Sequence, residues 1–345
     1  MALVGTLNSS NDFGLKNRII NGAMVIDQRN AGAAVTTSSS YITDRFTQAF
    51  GNASCSFQQV SDAPSGFINS LKLTVTTGSA PSVGSNNVIL QRIEGLNVAD
   101  FGLGAASAVT FTLSFWVKGS VTGTYAVSFT NSAFNKSYVA TYTINSANTW
   151  EQKSVTVAGD TSGTWLTTNS TGLIVLWDFG SGTNLNTTAG SWQAGNYYRT
   201  SACTTIASTT NATLQITGVQ LEKGSTATSF DYRPYGTELA LCQRYFQIGA
   251  GAGGRLYAYA QGTTVFNVIY NAIVTFRTGP SIALSTTSMV AENVPWATVV
   301  TGSGCTAGAG HVAPQVFDFQ LTGFTGLTNN QPASITSGVL FSAEL

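Results

Sequence analysis

Val109-Thr110-Phe111-Thr112-Leu113-Ser114-Phe115-Trp116-Val117-Lys118 alternates apolar and polar side chains with a period of two, and the run stops at Gly119-Ser120. Successive side chains of an extended chain point to opposite faces, so this pattern predicts a strand with one face in a core. Tyr125-Ala126-Val127-Ser128-Phe129 follows across a Thr-Gly-Thr turn, as in a hairpin. The segments 71–75, 87–93, 137–144, 153–157 and 213–221 read in the same style. Leu173-Ile174-Val175-Leu176-Trp177 is apolar on both parities, which predicts a strand buried on both faces or one at the centre of a sandwich. Strands spaced about ten residues apart, with Gly, Ser, Asn and Thr between them, predict an antiparallel sandwich or jelly roll.

Working outward, one helix is expected, over Thr237-Glu238-Leu239-Ala240-Leu241-Cys242-Gln243-Arg244-Tyr245-Phe246. Thr237 can cap it, Glu238 suits its positive end, and Leu239, Cys242 and Phe246 share a face. That face is a candidate contact between copies of the chain. Gly249-Ala250-Gly251-Ala252-Gly253-Gly254 follows, with neither the Gly-Lys-Ser/Thr ending nor the following helix of a phosphate-binding loop, so it reads as a hinge. Strand patterns resume at Arg255 and run to the C-terminus. The expected fold class is therefore all-β: two antiparallel β-sandwich, jelly-roll-like domains joined by a short helix. The boundaries are an arm at 1–16, a first domain at 17–235, helix and hinge at 236–254, and a second sandwich at 255–345.

Composition narrows the function. In 345 residues, 15 Lys+Arg balance 15 Asp+Glu, and only 9% of residues are charged, against about 25% in ordinary soluble chains. Phosphate recognition needs a basic footprint, so nucleic acid is not an expected ligand. Neither an apolar run long enough to span a bilayer nor a signal-peptide pattern is read, so no membrane insertion or secretion is expected. Cys55, Cys203, Cys242 and Cys305 show no Cys-x-x-Cys spacing, and His311 is the single histidine. Neither a zinc site nor a disulfide framework is predicted, and the thiols are expected to be buried and reduced. The carboxylates are scattered, so no enzyme activity, metal or cofactor is expected.

Aromatic residues carry the remaining signal. Trp165, Trp177, Trp192, Tyr197 and Tyr198 crowd one stretch, and Trp192-Gln193-Ala194-Gly195-Asn196-Tyr197-Tyr198-Arg199 reads as a loop. A sugar ring offers C–H surface for stacking and hydroxyls for hydrogen bonds. Trp192, Tyr197 and Tyr198, with Asn196 and Arg199, are thus candidate glycan contacts; packing within the sandwich is the competing reading, and Trp177 is assigned to the core.

Several motifs also resemble a known family. Asn17-Arg18-Ile19-Ile20-Asn21-Gly22, Asp27-Gln28-Arg29 and Tyr41-Ile42-Thr43-Asp44-Arg45-Phe46 look like its opening. Ser114-Phe115-Trp116-Val117-Lys118 resembles its central strand, and Asn148-Thr149-Trp150-Glu151 and Gly159-Asp160-Thr161-Ser162-Gly163-Thr164-Trp165 are also similar. Gly218-Val219-Gln220-Leu221-Glu222-Lys223-Gly224 and the run from Phe230 to Phe246 resemble its closing signature. The family is that of bacteriophage tail-fibre and other virion structural proteins, and its first domain is similar to carbohydrate-binding-module jelly rolls. The resemblance spans residues 17–246. It implies a virion protein made in the bacterial host cytoplasm, assembling as a homotrimer and with other virion proteins. Two roles follow: a tail fibre or appendage touching host-surface carbohydrate, or a purely structural capsid-decorating, head-fibre or tail component.

Overall fold

The computed structural model describes residues 16–249, 255–286, 289–293, 298–335 and 338–345. The expected arm, apart from Lys16, the hinge residues 250–254 and the side chain of His311 lie outside the described residues. The chain divides into two compact units, Met1–Pro234 and Tyr235–Leu345.

In the first unit the strands are β1 (Tyr41–Thr43), β2 (Phe46–Ala49), β3 (Ser54–Val60), β4 (Ser70–Thr77), β5 (Val88–Glu94), β6 (Phe111–Gly119), β7 (Gly123–Thr130), β8 (Lys136–Ile144), β9 (Glu151–Val157), β10 (Thr171–Asp178), β11 (Trp192–Ala194) and β12 (Thr213–Lys223). They form a seven-stranded sheet in the order β1-β2-β5-β10-β7-β8-β11 and a five-stranded sheet in the order β3-β4-β12-β6-β9. The pairings are antiparallel, as for β6 with β9 and β7 with β8. The period-two reading of β6 holds: Phe111, Leu113, Phe115 and Val117 are fully buried in the core. Trp177 meets Phe46 and Phe115 in that core, with ring centroids 6.4 and 5.7 Å away.

The residues that carry the family resemblance clasp the two ends of this unit together. Asn17 donates from Nδ2 to Val219 O at 3.0 Å and accepts at Oδ1 from Leu221 N at 3.0 Å. Arg233 Nη1 donates to Ile19 O at 3.0 Å, and its Nη2 donates to Asn17 O. Asp231 accepts from the backbone N–H groups of Lys16 and Asn17. Gly22 lies so close to β12 that a Cβ there would fall 2.1 Å from Val219 O, which explains the absence of a side chain.

The second unit opens with α1 (Tyr235–Gln243), followed by β13 (Phe246–Gly249), β14 (Leu256–Ala260), β15 (Val265–Asn271), β16 (Ser281–Leu284), β17 (Met289–Asn293), β18 (Thr298–Val312), β19 (Val316–Phe324), β20 (Pro332–Ile335) and β21 (Val339–Ser342). Strands β14-β15-β19-β18-β17-β20 close into a barrel, while β13-β21-β16 form a three-stranded sheet. Phe266, Phe319, Leu321 and Phe341 are fully buried in the core of this unit.

The helix differs from expectation at both ends. It starts at Tyr235, directly after Pro234, so Thr237 lies inside its first turn instead of capping it. It ends before Phe246, which instead pairs with Ser342 as the first residue of β13. Pairing with the C-terminal strand satisfies backbone groups that a longer helix would need to satisfy within itself.

Candidate functional site

The predicted loop is a working part of the fold. Ile174, Leu176, Val88 and Leu90 form a second apolar face on the outer side of the seven-stranded sheet, and Leu185 and Tyr198 close over it. Beside them, Cys203 and the half-buried Tyr197 pack on Ala126 and Val139. Tyr198 N donates to Leu185 O at 2.9 Å, and Thr187 N donates to Arg199 O at 2.9 Å, so the 180–205 excursion is stitched to itself as a roof. Strand β10 is apolar on both parities because this roof covers its second face.

Arg199 anchors the roof from inside. Its Nη1 donates to Ser181 O at 3.0 Å and its Nη2 to Thr205 Oγ1 at 2.9 Å and to Cys203 O. It lies 3.5 Å from Asp178 Oδ2. Asp178 also accepts from Gly180 N at 3.1 Å and Ser181 N at 2.8 Å. Burial pushes the Asp178 carboxyl up, against the pull of Arg199 and the Ser181 and Gly180 donors. Arg199 and Tyr198 are each only 4% exposed. Both are therefore corrected from glycan contacts to packing residues, because neither can reach a surface ligand.

Trp192 is half-buried at the free edge of the seven-stranded sheet. It pairs with Tyr138 across β8 and β11, edge-on at 5.4 Å, and meets Trp165 at 5.2 Å. Its Nε1 donates to Ala158 O at 2.7 Å, which fixes the ring and ties the 158–165 loop to the sheet. Asn196 is half-buried beside Tyr197. Of the five candidates, Trp192, Asn196 and Tyr197 retain some surface. They do not form one surface: Trp192 packs with Tyr138 against the main core and Tyr197 with Val139 on the other face, while Lys136 Nζ reaches Ser162 Oγ at 2.7 Å and Asp160 Oδ2 at 3.7 Å.

A second group was not singled out from sequence. On β6 the residues that alternate with the core positions, Trp116 and Lys118, stand on the outward face of the five-stranded sheet. Opposite them on the β9 side are Gln152 and Trp150, with Lys118 Nζ 5.2 Å from the Trp150 ring centroid. Asp62 accepts from Lys118 Nζ, from Trp150 Nε1 at 3.3 Å and from Gln215 Nε2 at 3.1 Å. The Lys118 ammonium, with Gln215 and Trp150 as further donors, holds the Asp62 carboxyl below the usual carboxylate range. Phe67 and Trp116 lie over Gly218, where a Cβ would come within 2.6 and 2.9 Å of their rings. Phe67 packs on Phe230 and Tyr232 at 5.1 and 5.5 Å. Tyr232 is 58% exposed, and its hydroxyl donates to Gly66 O at 2.6 Å. The parity of Trp116 within its own strand was the signal that could have found this group.

The oligomer-contact candidates fare unevenly. Leu239 is half-buried, but Cys242 and Phe246 are 1% and 3% exposed within their own chain. Neither offers surface to another copy, so Cys242 and Phe246 are corrected to interior residues, while Leu239 keeps part of its surface. The four cysteines are all buried, and no disulfide joins them. Among the described residues, no three His, Cys, Asp or Glu side chains gather as a metal site would require. No helix there is long and apolar enough to cross a membrane.

No family model and no curated protein matches the chain. Among solved structures it is similar to the enzymatically active domain of tailspike protein 4 from bacteriophage CBA120, at 14% identity and a TM-score of 0.31. That match covers 60% of this chain and 21% of the tailspike chain, so this chain spans about a fifth of its length. A family 11 carbohydrate-binding module of a Clostridium thermocellum cellulase matches at 12% identity and a TM-score of 0.30, over 57% of this chain and 98% of the module. A tandem pair of family 22 modules from a Paenibacillus barcinonensis protein matches at 10% identity and 0.29, over 92% of this chain and all of the pair. These TM-scores are too low to assign a ligand or an activity.

Proposed function

We propose that the protein is a structural component of a bacteriophage virion, a tail fibre or other appendage, whose first unit touches glycans of the host surface without chemical turnover. One observation carries the glycan part. Trp116, Trp150 and the exposed Tyr232 are held on the outside of the five-stranded sheet beside Asp62, Lys118 and Gln152. Rings fixed by hydrogen bonds and packing lose little freedom when a sugar stacks on them, while the amide, carboxylate and ammonium groups suit hydroxyls. Asp62 and Lys118 neutralise each other, which favours an uncharged glycan.

The virion part rests on the opening, central and closing motifs, which a neutral, disulfide-free β protein made in the bacterial cytoplasm accommodates. In this reading the chain assembles as a homotrimer and binds other virion proteins. A second reading, a capsid-decorating, head-fibre or tail component without glycan binding, is favoured by the burial of Tyr198 and Arg199. Immunogold labelling of intact particles separates an appendage from a capsid or head-fibre place: the first reading expects gold on a tail appendage. Gold confined to the capsid would overturn the appendage assignment.

A further inference from the structure

The barrel of the second unit has its own polar and aromatic wall. Along β14, β15 and β19 the inward residues Leu256, Phe266, Val268, Phe317, Phe319 and Leu321 fill the core. Alternation places Tyr257, Tyr259, Asn267, Ile269, Asp318 and Gln320 on the outside. The register sets them side by side: Tyr259 is opposite Asn267, Asn267 is opposite Gln320, and Ile269 is opposite Asp318. Tyr257, Tyr259, Ile269 and Val316 are 69%, 47%, 62% and 48% exposed.

A groove of about 420 Å³ runs along this wall, lined by Tyr259, Asn267, Ile269, Val316, Phe317 and Asp318. That volume lies in the range of small-molecule sites, about 300–1,000 Å³. The amides bordering it are already ordered: Gln261 Oε1 accepts from Asn267 Nδ2 at 2.7 Å and from Gln320 Nε2 at 3.2 Å. A tyrosine ring provides a stacking face, Ile269 and Val316 provide apolar contact, and an amide and a carboxylate provide donor and acceptor groups for vicinal hydroxyls. The described lining residues include the Asp318 carboxylate and no lysine or arginine, so a uronate, sulfate or phosphate meets like charge there. A second copy of the chain fits this wall less well, because Asn267, Asp318 and Gln320 interrupt its apolar residues where a subunit interface would have a charge-depleted centre.

We propose that this groove is a saccharide site for an uncharged sugar, with Tyr259 stacking on the ring and Asn267 and Asp318 bonding its hydroxyls. It extends the glycan reading to the second unit and stands on residues separate from those of the first.

The test is retention of the full chain on an array carrying neutral hexose and N-acetylhexosamine oligosaccharides beside uronate- and sialate-containing ones. Wild type, Tyr259→Ala, Tyr259→Phe and Trp150→Ala are compared, with unfolding midpoints measured for each. The expected result is retention on a neutral glycan that falls about tenfold or more in Tyr259→Ala and persists in Tyr259→Phe. Loss in Trp150→Ala with no change in Tyr259→Ala overturns the barrel site and leaves the first-unit reading standing. Retention confined to acidic glycans, or on none, overturns it as well. A Tyr259→Ala chain that changes only its oligomeric state makes the wall a subunit contact and also ends the proposal.

Discussion

Arg199 and Asp178 show how one buried pair can decide whether a surface segment exists. The guanidinium binds carbonyls on both sides of the roof while facing a carboxylate that is 1% exposed. Arg199→Ala leaves that carboxylate buried without its cation, a change that typically costs about 3–5 kcal/mol. Denaturant unfolding should register that loss, and a cost below about 1 kcal/mol would contradict the anchoring role. Glu151 makes a separate prediction. Partial burial pushes its carboxyl up, but Lys153 and the Ser146 and Asn145 donors outweigh this and bring it from 4.5 to about 2. A carboxylate with a depressed folded-state value stabilises the fold above its unfolded value. This contribution is therefore complete above about 4.5 and lost as pH falls toward about 2. An NMR titration of the Glu151 side chain should show a midpoint near the lower figure; a midpoint near 4.5 would refute the hydrogen-bonded turn.

At the scale of elements, the strands were the legible part. Strand β6 announced itself by parity, and β10 by apolar residues on both parities, which fit a covered second face or a place at a sandwich centre. What covers it was not legible, because 180–205 is rich in Thr, Asn and Gly and only the fold shows Leu185 and Tyr198 turning inward. Of the two readings of the aromatic loop, ligand surface and packing, Tyr198 and Arg199 follow the packing one. Helix α1 was located but shifted, since local spacing carries no trace of the pairing between Phe246 and Ser342, almost a hundred residues apart. Trp192 should now behave as a staple: Trp192→Ala removes its contacts with Tyr138 and Trp165 and its bond to Ala158. For a half-buried ring the expected cost is about 2 kcal/mol, with faster amide exchange in the 158–165 loop. Unchanged exchange and unchanged stability would return Trp192 to the list of free binding residues.

For the whole molecule, the two units pose different questions. The first joins its own ends, so that its opening and closing motifs serve the clasp between Asn17, Val219, Leu221 and Arg233. The recognisable motifs therefore mark the fold more directly than they mark a ligand, which is why sequence located the architecture better than the site. Association is expected from a chain with only 9% charged residues. Sedimentation equilibrium at micromolar concentration should return the mass of a trimer, and a monomer would remove the avidity that weak sugar contacts need.

The central claim is contact with host-surface glycan, and competition for adsorption tests it most directly. Purified protein added to host cells before the phage should block particle adsorption, Trp150→Ala should block it less, and periodate oxidation of the cells should abolish binding of the protein. Adsorption that proceeds unchanged in the presence of saturating protein, or protein binding that survives periodate, would contradict the account.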